Sequence, residues 1–231
     1  MQGDQGGLVT ATLENVRTLA VDVSCDAPIE GCELLAQTEY GQGFYAHPDA
    51  PLSIVEFPAT GDEYAAQCSR AVRENANFAR RLRHRHEIID RADWEDDLFE
   101  LRSSARERQG RPMHPAYMRR QSYPSDRWPD PHCKRHLTVF HGVVSKEGRL
   151  VAYCQVVECG DMARLNTILG HADYLPDRVM WLLTLEAFRW HIDECGARYG
   201  LYYTHDSGHG GGLRYFKERF GMRPTEAEWL L

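Results

Sequence analysis

The chain has 231 residues, 42% of them hydrophobic, 26% charged and 10% aromatic, which is enough apolar material to bury a core and excludes disorder as the dominant state. No run approaches the roughly 18 consecutive apolar residues of a membrane span, and the acidic, Gly-rich start MQGDQGG lacks the basic and then apolar order of a signal peptide. The expectation is a cytoplasmic protein with no membrane partner. The formal charge of −7 divides unevenly: Arg70 to Arg135 holds 16 Lys/Arg against 11 Asp/Glu, and the rest of the chain 11 against 23. A basic middle suits a phosphate-bearing partner such as coenzyme A, a nucleotide or an RNA end, or it is an Arg-rich helix surface.

In chain order, apolar runs at Val16 to Val23 and Leu52 to Phe57 predict strands separated by turn-rich sequence. Residues 1–60 read as a strand-rich N-terminal segment and 61–231 as the main domain. Tyr64, Cys68, Ala71, Val72, Ala76, Phe78 and Leu82 give a helical face over Asp62 to Arg83. A short strand at His86 to Ile89 follows, then a helix capped by Asp93 with Trp94, Leu98 and Leu101 on one face, stopping at or before Pro112. After a Pro-rich loop, Leu137 to Val144, Leu150 to Val157 and Ala163 to Leu169 form three runs joined by Lys146-Glu147-Gly148 and Gly160-Asp161, an antiparallel meander. Pro176 opens a long apolar helix that ends at Gly196, Tyr199 to Thr204 is a strand, Gly208 to Gly212 a loop, and Leu213 to Phe220 a short helix. The order predicts an α+β fold, a mixed sheet with an antiparallel meander and flanking helices.

The last stretch, Gly212-Leu213-Arg214-Tyr215-Phe216-Lys217-Glu218-Arg219-Phe220-Gly221, resembles the Gly-Leu-x-x-Phe-Lys-x-x-Phe-Gly signature of the Fem-type branch of the GNAT acyltransferase superfamily. That branch includes aminoacyl-tRNA-dependent peptide ligases. With the meander, the Pro176 to Gly196 helix and the strand Tyr199 to Asp206, the resemblance extends over roughly 140 residues from about Asp93. It implies a GNAT-like N-acyltransferase or aminoacyltransferase: an acyl-CoA or aminoacyl-tRNA donor, an amine acceptor attacking directly, and no bound cofactor. Two departures bear on the donor. The superfamily's pyrophosphate loop, Gln/Arg-x-x-Gly-x-Gly/Ala, is absent where Gly170 to Pro176 stands, and Phe216 occupies the position of the tyrosine used as general acid in many members. Both point away from acetyl-CoA and toward the Fem-type branch.

The residues state their own chemistry. A glycine tract, Gly210 to Gly212, before a helix lets backbone N–H groups approach an anion. Lys217, one of only three lysines, would bring a compact ammonium to developing negative charge; alternatively it is a solvated helix cation beside core Phe216 and Phe220. The attacking amine must lose a proton, and His141, His171, His205, Asp206 and His209 are candidate bases. Of these His141, inside an apolar run, also suits a core histidine, whereas His205 and Asp206 close a strand. Arg102, Arg106, Arg108 and Arg111 form a candidate phosphate-facing group, Arg108 and Arg111 as donor contacts. The seven cysteines form no CxxC pair and fit reduced structural thiols. His132-Cys133-x-x-His136 has donor atoms but no second matched pair, so no metal is expected. Two other classes compete: an RNA-binding module on the basic middle segment, and a serine hydrolase at Ser207, whose flanking His205 and His209 replace the glycines of a nucleophile elbow.

Overall fold

A computed structural model describes residues 16–25, 36–45, 48–108, 111–122, 133–205 and 210–231. Strand β1 (Arg17–Asp22), β2 (Leu52–Glu56) and β3 (Arg85–Ile88) precede the meander of β6 (His136–Val144), β7 (Leu150–Cys159) and β8 (Met162–Gly170), and a small hairpin, β4 (Glu107–Arg108) with β5 (Arg111–Pro112), lies between. Strands β9 (Tyr199–Thr204) and β10 (Arg223–Leu230) close the chain. All but the hairpin join one eight-stranded sheet in the order β1-β10-β2-β9-β8-β7-β6-β3. The fold is therefore α+β with a mixed sheet: β1 pairs β10 and β8 pairs β9 in parallel, and the other pairings are antiparallel.

The helices are α1 (Gly61–Gln67), α2 (Arg70–Arg81), α3 (Glu95–Ser103), α4 (Val179–Cys195) and α5 (Gly210–Arg219). Alternation along β7 sorts them onto two faces: Ala152, Cys154 and Val156 pack with α1, α2 and α4, whereas Tyr153, and Leu150 beyond the register break opposite Val143 and Val144, pack with Leu98 and Leu101 of α3. The apolar stripe Val179, Leu182, Leu183, Leu185, Phe188 and Ile192 makes α4 the centre of the first layer. Gly196 ends it in the left-handed conformation, φ 72°, as the sequence predicts.

Several expectations need correction. The single helix over Asp62 to Arg83 is two, because Cys68 and Ser69 are extended (ψ 151° and 153°) and Ser69 N donates instead to Arg219 O at 3.2 Å. The cap before α3 is Asp90, whose carboxylate accepts from Ala92 N at 2.9 Å, and a 3-10 turn over Arg91–Trp94 intervenes. Pro176 lies inside a 3-10 turn, Ala172–Asp177, and α4 begins only after Arg178 turns left-handed at φ 66°. Strand β10 is unforeseen; it inserts between β1 and β2, so the two strands of the first sixty residues belong to the same sheet as the rest.

Candidate functional site

Parallel strands β8 and β9 share only three pairs, Met162↔Tyr199, Ala163↔Gly200 and Arg164↔Leu201, although β8 runs on to Gly170 and β9 to Thr204. Each strand bulges directly past the last pair. On β8 the register against β7 jumps from Gln155↔Thr167 to Val156↔Leu165, leaving Asn166 as the extra residue. On β9 the register against β2 passes from Leu201 to Thr204 while β2 advances from Ile54 only to Leu52. Tyr203, within that bulge, has φ 54°, a conformation that bulky residues rarely hold without a reason. Bulges bend a strand and strengthen its twist, so the two strands part and leave backbone edges inside the sheet. Such edges can bind an extended, amide-bearing chain.

The end of β9 meets α5. Lys217 is fully buried; its Nζ donates to Thr204 O at 2.6 Å and lies 4.8 Å from the centroid of the Tyr202 ring. Burial and Cys154 push the Tyr202 hydroxyl up to about 12. His205, also buried, places Nδ1 3.2 Å from Ser53 Oγ and Nε2 3.8 Å from Glu218 Oε1. The Arg214 side chain, bonded to Glu218 at 2.9 Å, holds that carboxyl below its ordinary range together with His205 and Arg223. Trp181 of α4, Phe216 and Phe220 cluster at 4.8–5.7 Å and fix α5 against the core. Lys217 and His205 are thus brought together.

The glycine tract is not a loop: Gly210, Gly211 and Gly212 form the first turn of α5, and Lys217 stands in its last turn. First-turn N–H groups have no helical acceptor in any case, and the aromatic face of α5 drives the helix over poor glycine propensity. A Cβ on Gly211 or Gly212 would meet nothing within 4 Å, and neither has positive φ. Neither fold nor packing demands glycine there. Asp206, Ser207 and His209 lie outside the described residues.

The β8–α4 connection spends its amides on the protein itself. His171 N donates to Val151 O at 2.8 Å, Ala172 N to Ser104 Oγ at 3.0 Å, Tyr174 N to His171 O at 3.0 Å and Asp173 N to His171 Nδ1 at 3.3 Å. Arg108 is part of this packing, donating to Gly170 O at 2.7 Å, Leu101 O at 2.9 Å and Ser104 Oγ at 3.0 Å. Its guanidinium is a structural clamp rather than an open phosphate contact. Arg111 pairs with Arg108 through the β4–β5 backbone. Much of the basic middle is likewise engaged: Arg70 with Glu74, Arg80 with Glu186, Arg85 with Glu87, Arg120 with Asp96, and Arg135 with Asp22 and Asp161.

His141 lies elsewhere, on β6, with β7 and β8 between it and β9. At about 4.8 Å per strand that is roughly 14 Å. Its Nδ1 is 3.0 Å from His86 Nε2 and its Nε2 3.1 Å from His191 Nε2; His191 Nδ1 lies 2.5 Å from Glu158 Oε2. Burial pushes the His141 imidazole well down and brings His86 down to about 4, while burial raises the Glu158 carboxyl. Donor atoms of Glu158, His191 and Cys195 all lie within 4.8 Å of one another, a further set able to hold a metal. Sequence reading missed His86, His191, Glu158, Ser53 and Glu218; the one available signal was charge or imidazole inside otherwise apolar runs, as in Val156-Val157-Glu158-Cys159.

The sequence matches no family model and no curated protein. Among solved structures, the chain is similar to a GCN5-related N-acetyltransferase from Kribbella flavida, 14% identical with a TM-score of 0.41 over 76% of this chain and 54% of that one. It is also similar to the C-terminal DUF2156 domain of a putative lysylphosphatidylglycerol synthetase from Agrobacterium fabrum (16%, 0.47, 75% and 57%). A third similarity is to L-PGS from Bacillus licheniformis (13%, 0.48, 74% and 56%). The chain spans little more than half the length of each.

Proposed function

We propose that the protein is an acyltransferase that moves an acyl or aminoacyl group onto an amine by direct attack in a ternary complex, with the reaction at the parting of β8 and β9. The observation that carries this reading is the double bulge past Arg164↔Leu201, which opens strand edges inside the sheet beside Lys217 and His205. An extended donor arm would pair with those edges. The Lys217 ammonium, bonded to the carbonyl that ends β9, places positive charge near the carbonyl oxygen that turns anionic in the tetrahedral intermediate. The amine loses its proton on attack, and His205, backed by Glu218 and Ser53, is the proton acceptor among the described residues. The Gly212 to Gly221 motif favours an aminoacyl-tRNA donor, and so does the self-bonded β8–α4 connection, whose amides are committed where a pyrophosphate cradle would otherwise form.

Native mass spectrometry of freshly purified protein tests the donor by what co-purifies, and transfer assays with labelled aminoacyl-tRNA and labelled acyl-CoA test the reaction. Aminoacyl transfer to an amine, lost in Lys217→Met, is the expected result. Sub-micromolar coenzyme A affinity with amides of residues 170–176 on its pyrophosphate would overturn the donor assignment. A basic-segment RNA binder would instead show steeply salt-dependent binding and no transfer, and labelling of Ser207 by a fluorophosphonate would favour hydrolysis.

A further inference from the structure

The segment after β1 crosses to the far side of the meander. Asp161 N donates to Asp22 O at 2.7 Å, and a Cβ on Gly160 would lie 2.1 Å from that same oxygen, so only glycine at φ 59° allows the approach. Arg135 bridges Asp22 and Asp161 at 3.1 and 3.0 Å. These contacts bring Cys25 against the turn that opens β6, in which His136 N donates to Cys133 O at 3.2 Å. Cys25 Sγ and Cys133 Sγ each lie 3.1 Å from His136 Nδ1, and the three donor atoms are all within 4.8 Å of one another.

The imidazole's protonation is determined by its other contact. His136 Nε2 faces Val23 O at 3.0 Å, and a carbonyl can only accept, so Nε2 carries a proton and, in the neutral imidazole, Nδ1 carries the lone pair. Two sulfurs therefore converge on one imidazole nitrogen. Two thiolates and a histidine lone pair are a donor set of the kind that zinc selects, with the Nε2–H···O=C bond as the usual outer support of a ligating histidine. Zn–S of about 2.3 Å and Zn–N of about 2.0–2.1 Å give S···N separations of about 3.6 Å in a tetrahedron, about half an ångström beyond the 3.1 Å observed. Cys133 and His136 are 2% and 4% exposed, and Cys25, partly exposed, lies on the entry side.

We propose that Cys25, Cys133 and His136 bind a zinc ion. Binding displaces one proton from each thiol, forms two Zn–S bonds and one Zn–N bond, and leaves a neutral centre; a water or a further side chain completes the tetrahedron. The ion would staple the segment after β1 to the start of β6 across a sequence separation of 111 residues, which is why a sequence search for paired motifs passes over it. The inference is independent of the transfer chemistry, since none of its three ligands belongs to the β9–α5 region.

The test uses the full chain purified without a polyhistidine tag. Metal analysis and native mass spectrometry are expected to show one zinc per chain, with X-ray absorption giving at least two sulfurs at about 2.3 Å and a nitrogen at about 2.0–2.1 Å. After chelation, added cobalt should develop thiolate charge-transfer bands and strong tetrahedral d–d bands, and the melting temperature should rise again with metal. Cys25→Ser, at the least buried ligand, should fold with a parental circular dichroism spectrum and lose more affinity than the about 10–100-fold typical of an outer-shell partner. Cys68→Ser, outside the cluster, should bind like the parent. Absence of zinc and of cobalt bands in the folded parent overturns the proposal. So does a Cys25–Cys133 disulfide in protein handled under reductant, or unchanged cobalt affinity in folded Cys25→Ser.

Discussion

Along β6 and β7 the ladder is continuous from His136↔Cys159 to Val143↔Ala152, and the polar side chains beneath it, His141, His191 and Glu158, are 0–1% exposed and meet one another end to end. At the end of β9 the ladder is interrupted by a bulge, and the polar side chains there, Lys217 and His205, contact backbone and hydroxyl groups of the interrupted strands, Thr204 O and Ser53 Oγ. A regular ladder satisfies its own backbone, so a buried polar side chain beside it needs another side chain. A broken ladder frees carbonyls and amides, which become partners for side chains and also for a ligand. The first region closes on itself, and the second is where the proposed function seats a donor.

The largest effect should come from opening the closed region. His191→Leu leaves Glu158 buried without its imidazole partner and should cost about 3–5 kcal/mol, read as a lower urea midpoint at neutral pH. An unaltered midpoint would mean that the chain of imidazoles holds nothing. Lys217→Met should act on the reaction as well, costing about 3–4 kcal/mol in activation energy, roughly 10²–10³ in kcat, beside about 1–3 kcal/mol of stability for the donor lost from Thr204 O. Lys217→Arg should fail as well, since a planar guanidinium does not fit a fully buried ammonium site. Full turnover in Lys217→Met would remove β9 and α5 from the reaction.

A third measurement separates the regions by pH. His86, brought by burial to about 4 from 6.5, binds fewer protons folded than unfolded between those values. Its contribution, on the order of 3 kcal/mol, is complete above pH 6.5 and is lost as pH falls toward 4. Glu158 works in the other sense: burial raises it above 4.5, so its contribution is present at low pH and lost as pH rises through its folded value. Thermal unfolding from pH 7 to pH 4 should show a steep acid-side loss that is shallower in His86→Gln; identical slopes would place His86 outside the coupled group. The smallest effect is expected at Gly211 and Gly212, where an added Cβ meets nothing. Alanine at each should stabilise the chain by about 0.5–1 kcal/mol through helix propensity. Loss of transfer activity in these more stable variants would show that a donor approaches the backbone there, and unchanged activity would release the glycines from that role.

Local regularities made most of the fold legible in the sequence. Continuous apolar runs and the turns between them located β6, β7 and β8 within two residues at each end, the apolar stripe from Val179 to Ile192 located α4, and Gly196 located its end. The same reasoning joined α1 to α2 and read Gly210 to Gly212 as loop, because propensity cannot register that Ser69 finds its acceptor at Arg219 or that Phe216 and Phe220 dock on Trp181. Strand β10 escaped for a related reason: its alternation Thr225-Glu226-Ala227-Glu228-Trp229 gains meaning only from β1 and β2 on either side.

For the candidate site, residue types and positions near the end of the chain were enough to single out Lys217 and His205, since a rare lysine and a strand-closing histidine are visible without a fold. What surrounds them was decided by tertiary structure. The parting of β8 from β9 is a property of two registers, and registers relate strands that are neighbours in space and not in sequence. His141 was visible too, but whether it served as a base or a core histidine depended on His86 and His191, which lie 55 and 50 residues away and close both of its nitrogens. Side-chain chemistry is written residue by residue, whereas burial, partners and protonation come from segments folded into contact, and that is the information a linear reading lacks.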